Sequence, residues 1–383
     1  MNIVLRIIAS YRLARWKKKL KSDKGFTVRI KQPKVFIKRL EALGVPYVVL
    51  RWYCNLPTVL AGDAGNEDID ILVAHGYMLY IAAAVPIFNF GKKSNKVRFD
   101  IYSDSGRSGL SYRKMPYYPP VRAWQILATR VKDERGWYKI APAIYLQALV
   151  YHLTYHKGPG FGLPIVSGEP TSVIPKKDYS KYLQDEAEAY SIGVPKFDSL
   201  ITAHQWLCNE GWSIPFDLIQ RWSEQNDWMQ YLYNYNLSLI KESSYYRNLG
   251  GKSVVFVLRS ETHIFNCKEF ILDKLRDSSD EIEFFELDDA CKNNLMWWTR
   301  GGNWLDYKTY ALSRPLLLVK CELKSDAVNL KEELRKSLSE KYGKKNWLHS
   351  SDDIYEAAYN LMVLDDDRFN IPVYNLEVIE DAK

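Results

Sequence analysis

Two aspartates in the segment Asn66–Ala74, NEDIDILVA, carry the clearest chemical signal in the chain. Asp68 and Asp70 alternate with Ile69 and Ile71. A period of two belongs to a strand, so both acids share one face and the isoleucines the other. Carboxylates fixed about 5–7 Å apart repel each other unless a hard cation lies between them, and Mg²⁺ is the usual occupant. Asp100, in KVRFDIYS, stands between Phe99 and Ile101 in a second alternating run and supplies a third acid. Three carboxylates suit two divalent ions, Mg²⁺ or Mn²⁺, and in-line displacement at phosphorus. Asp68 and Asp70 would hold ions that bridge phosphates, and Asp100 would complete the second site and help activate an acceptor hydroxyl. A D-x-D pair alone can also decorate a solvent-facing strand edge, so the third acid and the elements around the pair decide the reading.

Those elements can be read from pattern. PKVFIKRLEALGV (Pro33–Val45) has helical spacing and a Gly44 stop, and leads into a strand, VPYVVL (Val45–Leu50). Arg51 and a loop with Gly62 and Gly65 follow, and a helix over His75–Phe88 links the two acid strands. From Pro116 the pattern becomes helical, with two helices interrupted by Gly136 and Pro142, a Gly- and Pro-rich loop over 159–175 that reads as mobile, and further helices over about 178–245. YHLTYHKG places His152 and His156 four residues apart on one helical face, the spacing of two metal ligands, but no acid lies between them and no third ligand is visible. His156 and Lys157 at a helix C-terminus can instead hold phosphate, or simply favour the helix dipole. After Leu249–Gly251 the chain alternates strands and helices.

The order of strand, turn, Asp-x-Asp strand and later single-Asp strand resembles the DNA polymerase beta-type nucleotidyltransferase superfamily over roughly residues 35–160. It is most similar to bacterial uncharacterised nucleotidyltransferase-like proteins that open LRG…LP…DIDILV. Leu50, Arg51, Leu56, Pro57 and Asp68 to Val73 match that pattern. The resemblance implies a mixed sheet and a helical domain behind it, with Asp68, Asp70 and Asp100 as metal ligands and Arg51, His156 and Lys157 binding phosphate. Members of the superfamily carry Gly-Ser or Gly-Gly on the turn after the first strand. Trp52 and Tyr53 stand there in this chain, a departure from the usual phosphate cradle. Relatives of this fold also transfer phosphocholine or phospho-alditols from CDP-linked donors to sugars, so the donor is either a nucleoside triphosphate or a CDP-linked compound.

A second resemblance lies in the last third. KNWLHSSDDIYEAA (Lys345–Ala358) resembles the nucleoside-diphosphate kinase signature N-x-x-H-G-S-D-S. Asn346, His349, Ser351 and Asp352 match, while Ser350 and Asp353 replace Gly and the last Ser. VVFVLRSE resembles that family's first strand, with Arg259 where the family has Lys-Pro; DEIEFFELDDA and RPLLLVKCEL follow in order. The match spans about 252–365 and implies a ferredoxin-like α/β sandwich in which His349 accepts a phosphoryl group, oriented by a neighbouring acid. The phosphate-binding Arg, Thr and Arg of the family are not recognisable between Cys321 and Lys345, and Arg335, Lys336, Lys344 and Lys345 could substitute for them only by analogy. TRGGNW sets Arg300 beside a Gly-Gly turn, so Arg259, Arg300 and His349 are read as nucleotide- or phosphate-binding. Ser350, Ser351 and Asp352 are equally good helix N-caps. The kinase-like part is therefore expected to bind rather than to transfer.

The 383 residues exceed one ordinary domain. The pattern reads as an α/β (α+β) chain of four parts: a basic amphipathic helix over 1–32, a nucleotidyltransferase-like domain over 33–120, a helical domain over 121–248 and a kinase-like domain over 249–383. Five widely spaced cysteines without C-x-x-C suit reduced thiols in the cytoplasm. Residues 1–50 hold thirteen Lys and Arg against Asp23 and Glu41, whereas the remainder holds 40 against 44. So uneven a charge implies no extended basic groove, and nucleic acid is not the expected partner. Residues 1–24 can lie on an anionic membrane, at the inner face of which the protein would sit, or dock on the body of the chain. The density of Trp and Tyr suits a sugar or glycan acceptor, as in assembly of bacterial surface polysaccharide. Kinases of the resembled type form closed oligomers, which leaves an oligomer open here. Two other readings stand beside the enzyme: a non-catalytic nucleotide-binding scaffold of two degenerate folds, and an RNA-modifying transferase.

Overall fold

Alternating Val, Ile and Phe runs supply the strands, and stripes of three-and-four spacing supply the helices that cover them. The structure, a computed structural model, describes residues 1, 3–20, 25–61, 68–87, 89, 96–107, 109–171, 173–222, 226–300, 304–306, 311–343, 345–366 and 369. Gly62, Gly65, Gly301, Gly302 and Lys344, singled out in the sequence, lie outside these residues, as do 21–24 of the basic segment. The side chains of 17–20 are likewise not described. The described residues fall into two compact units. One centres on Met1–Ser213 and takes in Trp222; the other comprises Ile214–Arg221 and the described part of Gln225–Val373. The division at 213/214 cuts through the stretch that the sequence pattern reads as one helical domain. Both units are mixed α/β.

The first unit runs α1 (Ile3–Leu20), β1 (Phe26–Ile30), α2 (Pro33–Ala42), β2 (Tyr47–Val49), α3 (Leu56–Ala61), β3 (Asp68–Val73), α4 (Met78–Ala84), β4 (Val97–Ser103), α5 (Pro120–Ala128), β5 (Val131–Lys132), β6 (Tyr138–Lys139), α6 (Pro142–Tyr151), α7 (Tyr179–Ala189) and α8 (Leu200–Asn209). Pro33 fits the first turn of α2, where no amide donor is needed, and Gly44 at φ +66° ends its run. Val85 and Pro86 stop α4 short of the His75–Phe88 span expected from pattern.

The sheet order is β1-β4-β3-β2-β6-β5. β3 and β4 are parallel, while β1 on β4 and β2 on β3 are antiparallel. Residues Ile69–Val73 are all buried, as expected of a strand covered on both faces. The interruption at Gly136 is a β-hairpin, closed by Asp133 and Trp137, which adds β5 and β6 to the sheet edge. A π-helical segment, His152–Lys157, continues α6. In the loop after it, Phe161 is buried and the amides of Leu200 and Ile201 donate to Pro164 and Ile165, while Ile174 is 92% exposed.

The second unit begins with α9 (Phe216–Gln220), α10 (Asp227–Glu242) and α11 (Ser244–Arg247). It continues β7 (Ser253–Arg259), α12 (Ser260–Ile264), α13 (Lys268–Asp277), β8 (Ser279–Glu286), α14 (Asp289–Trp298), a hairpin of β9 (Leu305–Asp306) and β10 (Ala311–Leu312), β11 (Pro315–Leu323), α15 (Ala327–Tyr342), β12 (Leu348–Ser350) and α16 (Ile354–Asp365). Its sheet is antiparallel throughout, in the order β12-β7-β11-β8. Phe256, Leu258, Ile271, Leu275, Val319, Leu334 and Trp347 form its core between the sheet and α13 and α15.

Candidate active site

Register places the three acids. In the parallel pair of β3 and β4, Asp70 lies directly opposite Asp100 and Asp68 opposite Arg98, so all four side chains share one face of the sheet. The antiparallel neighbour β1 sets Thr27 opposite Asp100. The Thr27 hydroxyl donates to Asp100 Oδ1 at 2.7 Å, and Arg98 grips the same carboxylate through Nε and Nη2 at 2.9 and 2.7 Å. Arg98 Nη1 also reaches Asp68 at 3.6 Å. Asp68 is half exposed, while Asp70 and Asp100 are nearly buried. Burial pushes Asp100 above the ordinary carboxylate range, against the pull of Thr27 and Arg98.

Arg51 lies two residues past the end of β2, after Leu50, whose amide donates to the Asp70 carbonyl at 3.0 Å. Its Nη2 meets Asp70 Oδ2 at 2.7 Å and its Nη1 meets the Tyr117 hydroxyl at 2.6 Å. Burial disfavours the Arg51 charge, but Asp70 and the surrounding tyrosines outweigh it and hold the guanidinium charged. Asp70 is raised to about 6 by burial, with Arg51 pulling down and the other two acids pushing up. It is therefore ionised at neutral pH.

From Arg51 the polar chain continues inward. The Tyr117 hydroxyl lies 2.7 Å from His152 Nδ1, which lies 3.2 Å from His156 Nδ1. Both imidazoles are buried and lowered well below the usual range, by burial and then by the Arg51 charge, so both are neutral. Neither Nε2 has a hydrogen-bond partner. The spacing that suggests a metal pair thus serves a hydrogen-bonded chain. The π-helical turn widens the helix where these rings are presented, a deviation often found at functional sites.

Lys157 at the end of this turn is exposed and lies 5.4 Å over the Tyr179 ring. Trp52 occupies the turn after β2 at φ +63°, a left-handed conformation costly for a bulky residue. Its ring packs on Tyr182 at 4.3 Å, with Lys177 5.1 Å over it. The structure therefore brings together Asp68, Asp70, Asp100 and Arg51, joins His156 to them through Tyr117 and His152, and lets Lys157 act on Asp70 by its charge. Arg51 and His156 are buried in internal bonds, and Lys157 alone of the three cationic or imidazole groups is open to solvent. Pattern reading did not single out Thr27, Arg98 or Tyr117, since their roles come from cross-strand register and from contacts distant in sequence.

In the second unit His349, on β12, is buried and places Nε2 3.0 Å from Glu356 Oε1. The Asp352 amide donates to the other Glu356 oxygen at 2.6 Å. Burial works to raise Glu356, but its bonds from His349 and Asp352 bring it below its ordinary value. Burial lowers His349 despite Glu356, and Arg300 and Lys331 lower it further. The pair is therefore a neutral imidazole donating Nε2–H to a carboxylate, which leaves Nδ1 with its lone pair.

Arg259 is 1% exposed, stacks 4.7 Å over Trp304 and leaves Nη1 unpartnered; Arg300 lies 5.3 Å over the same ring. The Ser350 hydroxyl and the Asn360 amide are also buried without partners. Asp353 caps α16 and Ser351 locks β7 through Val255, so part of the kinase-like motif is structural. Lys331, 3.6 Å from Asp352, supplies a cation that the sequence reading missed, whereas Arg335 turns to the Leu348 carbonyl.

Comparison with known proteins returned no matching family model, no matching curated protein and no matching solved structure. Among the described residues no group of three or more His, Cys, Asp or Glu is arranged to hold a metal ion. Three carboxylates on neighbouring strands suit Mg²⁺ or Mn²⁺ by donor chemistry. In this arrangement Arg51 and Arg98 take their oxygens, so an ion would enter by exchange with a guanidinium.

Proposed function

We propose that the first unit is a transferase of phosphorus-containing groups of the nucleotidyltransferase type, dependent on Mg²⁺ or Mn²⁺. One observation carries this reading: the parallel register of β3 and β4 sets Asp70 against Asp100, with Asp68 two residues away on the same face. The sequence order of plain strand, Asp-x-Asp strand and single-Asp strand is realised as the adjacent trio β2-β3-β4. Asp68, Asp70 and Asp100 would hold the ion, which when bound supplies charge neutralisation for a polyphosphate. Arg98 and Arg51, released from the carboxylates, would stay beside the donor phosphates, and the Lys157 charge, already felt at Asp70, would add to theirs. The aromatic surface of Trp52, Tyr179 and Tyr182 supports a sugar or glycan precursor as acceptor. The donor would be a nucleoside triphosphate or a CDP-linked compound.

The test is release of pyrophosphate or CMP from these donors with Mg²⁺ or Mn²⁺. Pyrophosphate would indicate nucleotidyl transfer and CMP the phospho-substituent class. Asp68→Asn and Asp70→Asn are each expected to abolish release while circular dichroism stays unchanged. Retained turnover in either variant removes the assignment.

A second reading is favoured by the arginine pairing of all three acids and by Trp52 on the turn: a nucleotide-binding scaffold that transfers nothing. The antiparallel order β12-β7-β11-β8 supports a ferredoxin-like, kinase-like second unit, and its unpartnered Arg259, Ser350 and Asn360 groups suit a bound ligand. This reading predicts nucleotide binding, by calorimetry, that is indifferent to Mg²⁺. Tight Mg²⁺-dependent binding lost in Asp68→Asn rules it out.

A further inference from the structure

Helix α1 has two apolar faces. Leu5, Ala9, Arg12 and Trp16 recur at helical spacing on one side. Ala9 is fully buried against Ala82 and Ala83 of α4, and Leu5 and Trp16 pack on the same cluster. Trp16 also meets Phe26 edge-on at 5.0 Å. Arg12 donates to the carbonyls of Ala82, Val85 and Pro86 at 3.0, 2.5 and 2.9 Å, closing the end of α4. The helix is thus fixed to the body of its unit. At 100° per residue, Ile3, Val4, Ile7 and Tyr11 fall on the opposite side. They are 78, 67, 64 and 65% exposed. Arg6 and Arg15 border this stripe, and Arg15 lies 5.9 Å over the Tyr11 ring.

We propose that the outer face of α1 is a contact for bilayers rich in anionic lipid, the helix lying in the plane of the interface. Docking and membrane contact, alternatives at the level of sequence, are compatible because they use opposite sides. The contiguous aliphatic stripe is a surface of the kind that marks an interaction site. Its charge selects the partner. Arg6 and Arg15 flank the stripe, Lys17, Lys18 and Lys19 follow in the same helix, and α1 contains no acid. An apolar face rimmed by cations, with a tyrosine at the level of the headgroups, matches a negatively charged interface. No described helix is long and apolar enough to cross a membrane, so the helix would lie on the surface. Because α1 is already folded and anchored by Arg12, binding does not have to order a coil.

The experiment is flotation of the full chain with vesicles of phosphatidylcholine, with and without phosphatidylglycerol. The chain is expected to float with the mixed vesicles, less so as salt shortens the screening length. Ile7→Glu combined with Tyr11→Glu should weaken partitioning by at least about tenfold, since it places two charges in the apolar stripe. Both residues project away from the docked face, so the melting temperature should not move; Lys17→Gln, Lys18→Gln and Lys19→Gln together weaken binding through charge alone. Flotation no better with phosphatidylglycerol than without it overturns the proposal. So does undiminished flotation of the double variant. A concentration-dependent dimer that the double variant abolishes, without vesicle binding, would assign the face to a second copy of the chain instead.

Discussion

At the scale of single residues, the first unit confines two acids whose ionisation works against folding. Asp70 is raised to about 6, and Asp104 is raised to about 7 by burial, against backbone hydrogen bonds and the bond from Trp124 Nε1 to Oδ2 at 2.9 Å. A carboxyl whose folded pKa is raised binds its proton more tightly in the native state. Its penalty is absent below the ordinary carboxylate range, grows as pH rises from about 4, and is complete above the folded value. Asp104→Asn removes that titration. Relative to the parent, the variant should gain stability between pH 5 and pH 8, by an amount on the order of a few kcal/mol. Urea titrations at the two pH values measure the difference, whatever constant offset the amide introduces. A difference independent of pH would show that Asp104 titrates normally. Asp70 belongs to the site, so its value near 6 sets a second expectation: Mg²⁺-dependent nucleotide binding should rise with pH through that region.

At the scale of elements, what could be read from the sequence was what repeats locally. The alternation around Asp68, Asp70 and Asp100 marks β3 and β4, Gly44 marks the end of α2, and the runs from Val254 and Pro315 mark the strands of the second unit. The hairpin of β5 and β6 was hidden because two strands of two residues each have no periodicity to detect. The partners of the acids were hidden for another reason. Thr27, Arg98 and Tyr117 reach the site through register and through a fold that brings residues 51, 117 and 152 together. Tyr117 ties these elements to one another, since its hydroxyl meets Arg51 Nη1 and His152 Nδ1. Tyr117→Phe deprives one buried charged donor and one buried imidazole of a partner. A loss of about 1–3 kcal/mol is expected from the unsatisfied groups. Chemical denaturation measures the loss. A neutral outcome would mean that the chain from Asp70 to His156 contributes nothing to stability.

At the scale of the whole molecule, one chain carries two separate sets of chemical side chains, one in each unit, and the question is whether both react. The His349–Glu356 pair has the tautomer and the neutral imidazole that phosphoryl acceptance requires. A γ-phosphate must also be clamped by cations, each contact of this kind contributing about 2.7–4 kcal/mol in the transition state. Arg259 is 1% exposed and stacked on Trp304, and Lys331 is drawn to Asp352 at 3.6 Å, so neither cation reaches a γ-phosphate beside His349 without rearrangement. Losing two such contacts costs several orders of magnitude in rate. The protein is therefore expected not to phosphorylate itself. His349→Ala should leave the reaction assigned to Asp68 and Asp70 unchanged except through donor affinity. Incubation with γ-labelled ATP followed by acid and base treatment separates the outcomes: a base-stable, acid-labile label that disappears in His349→Ala would make the second unit a phosphotransfer domain, not a binding one.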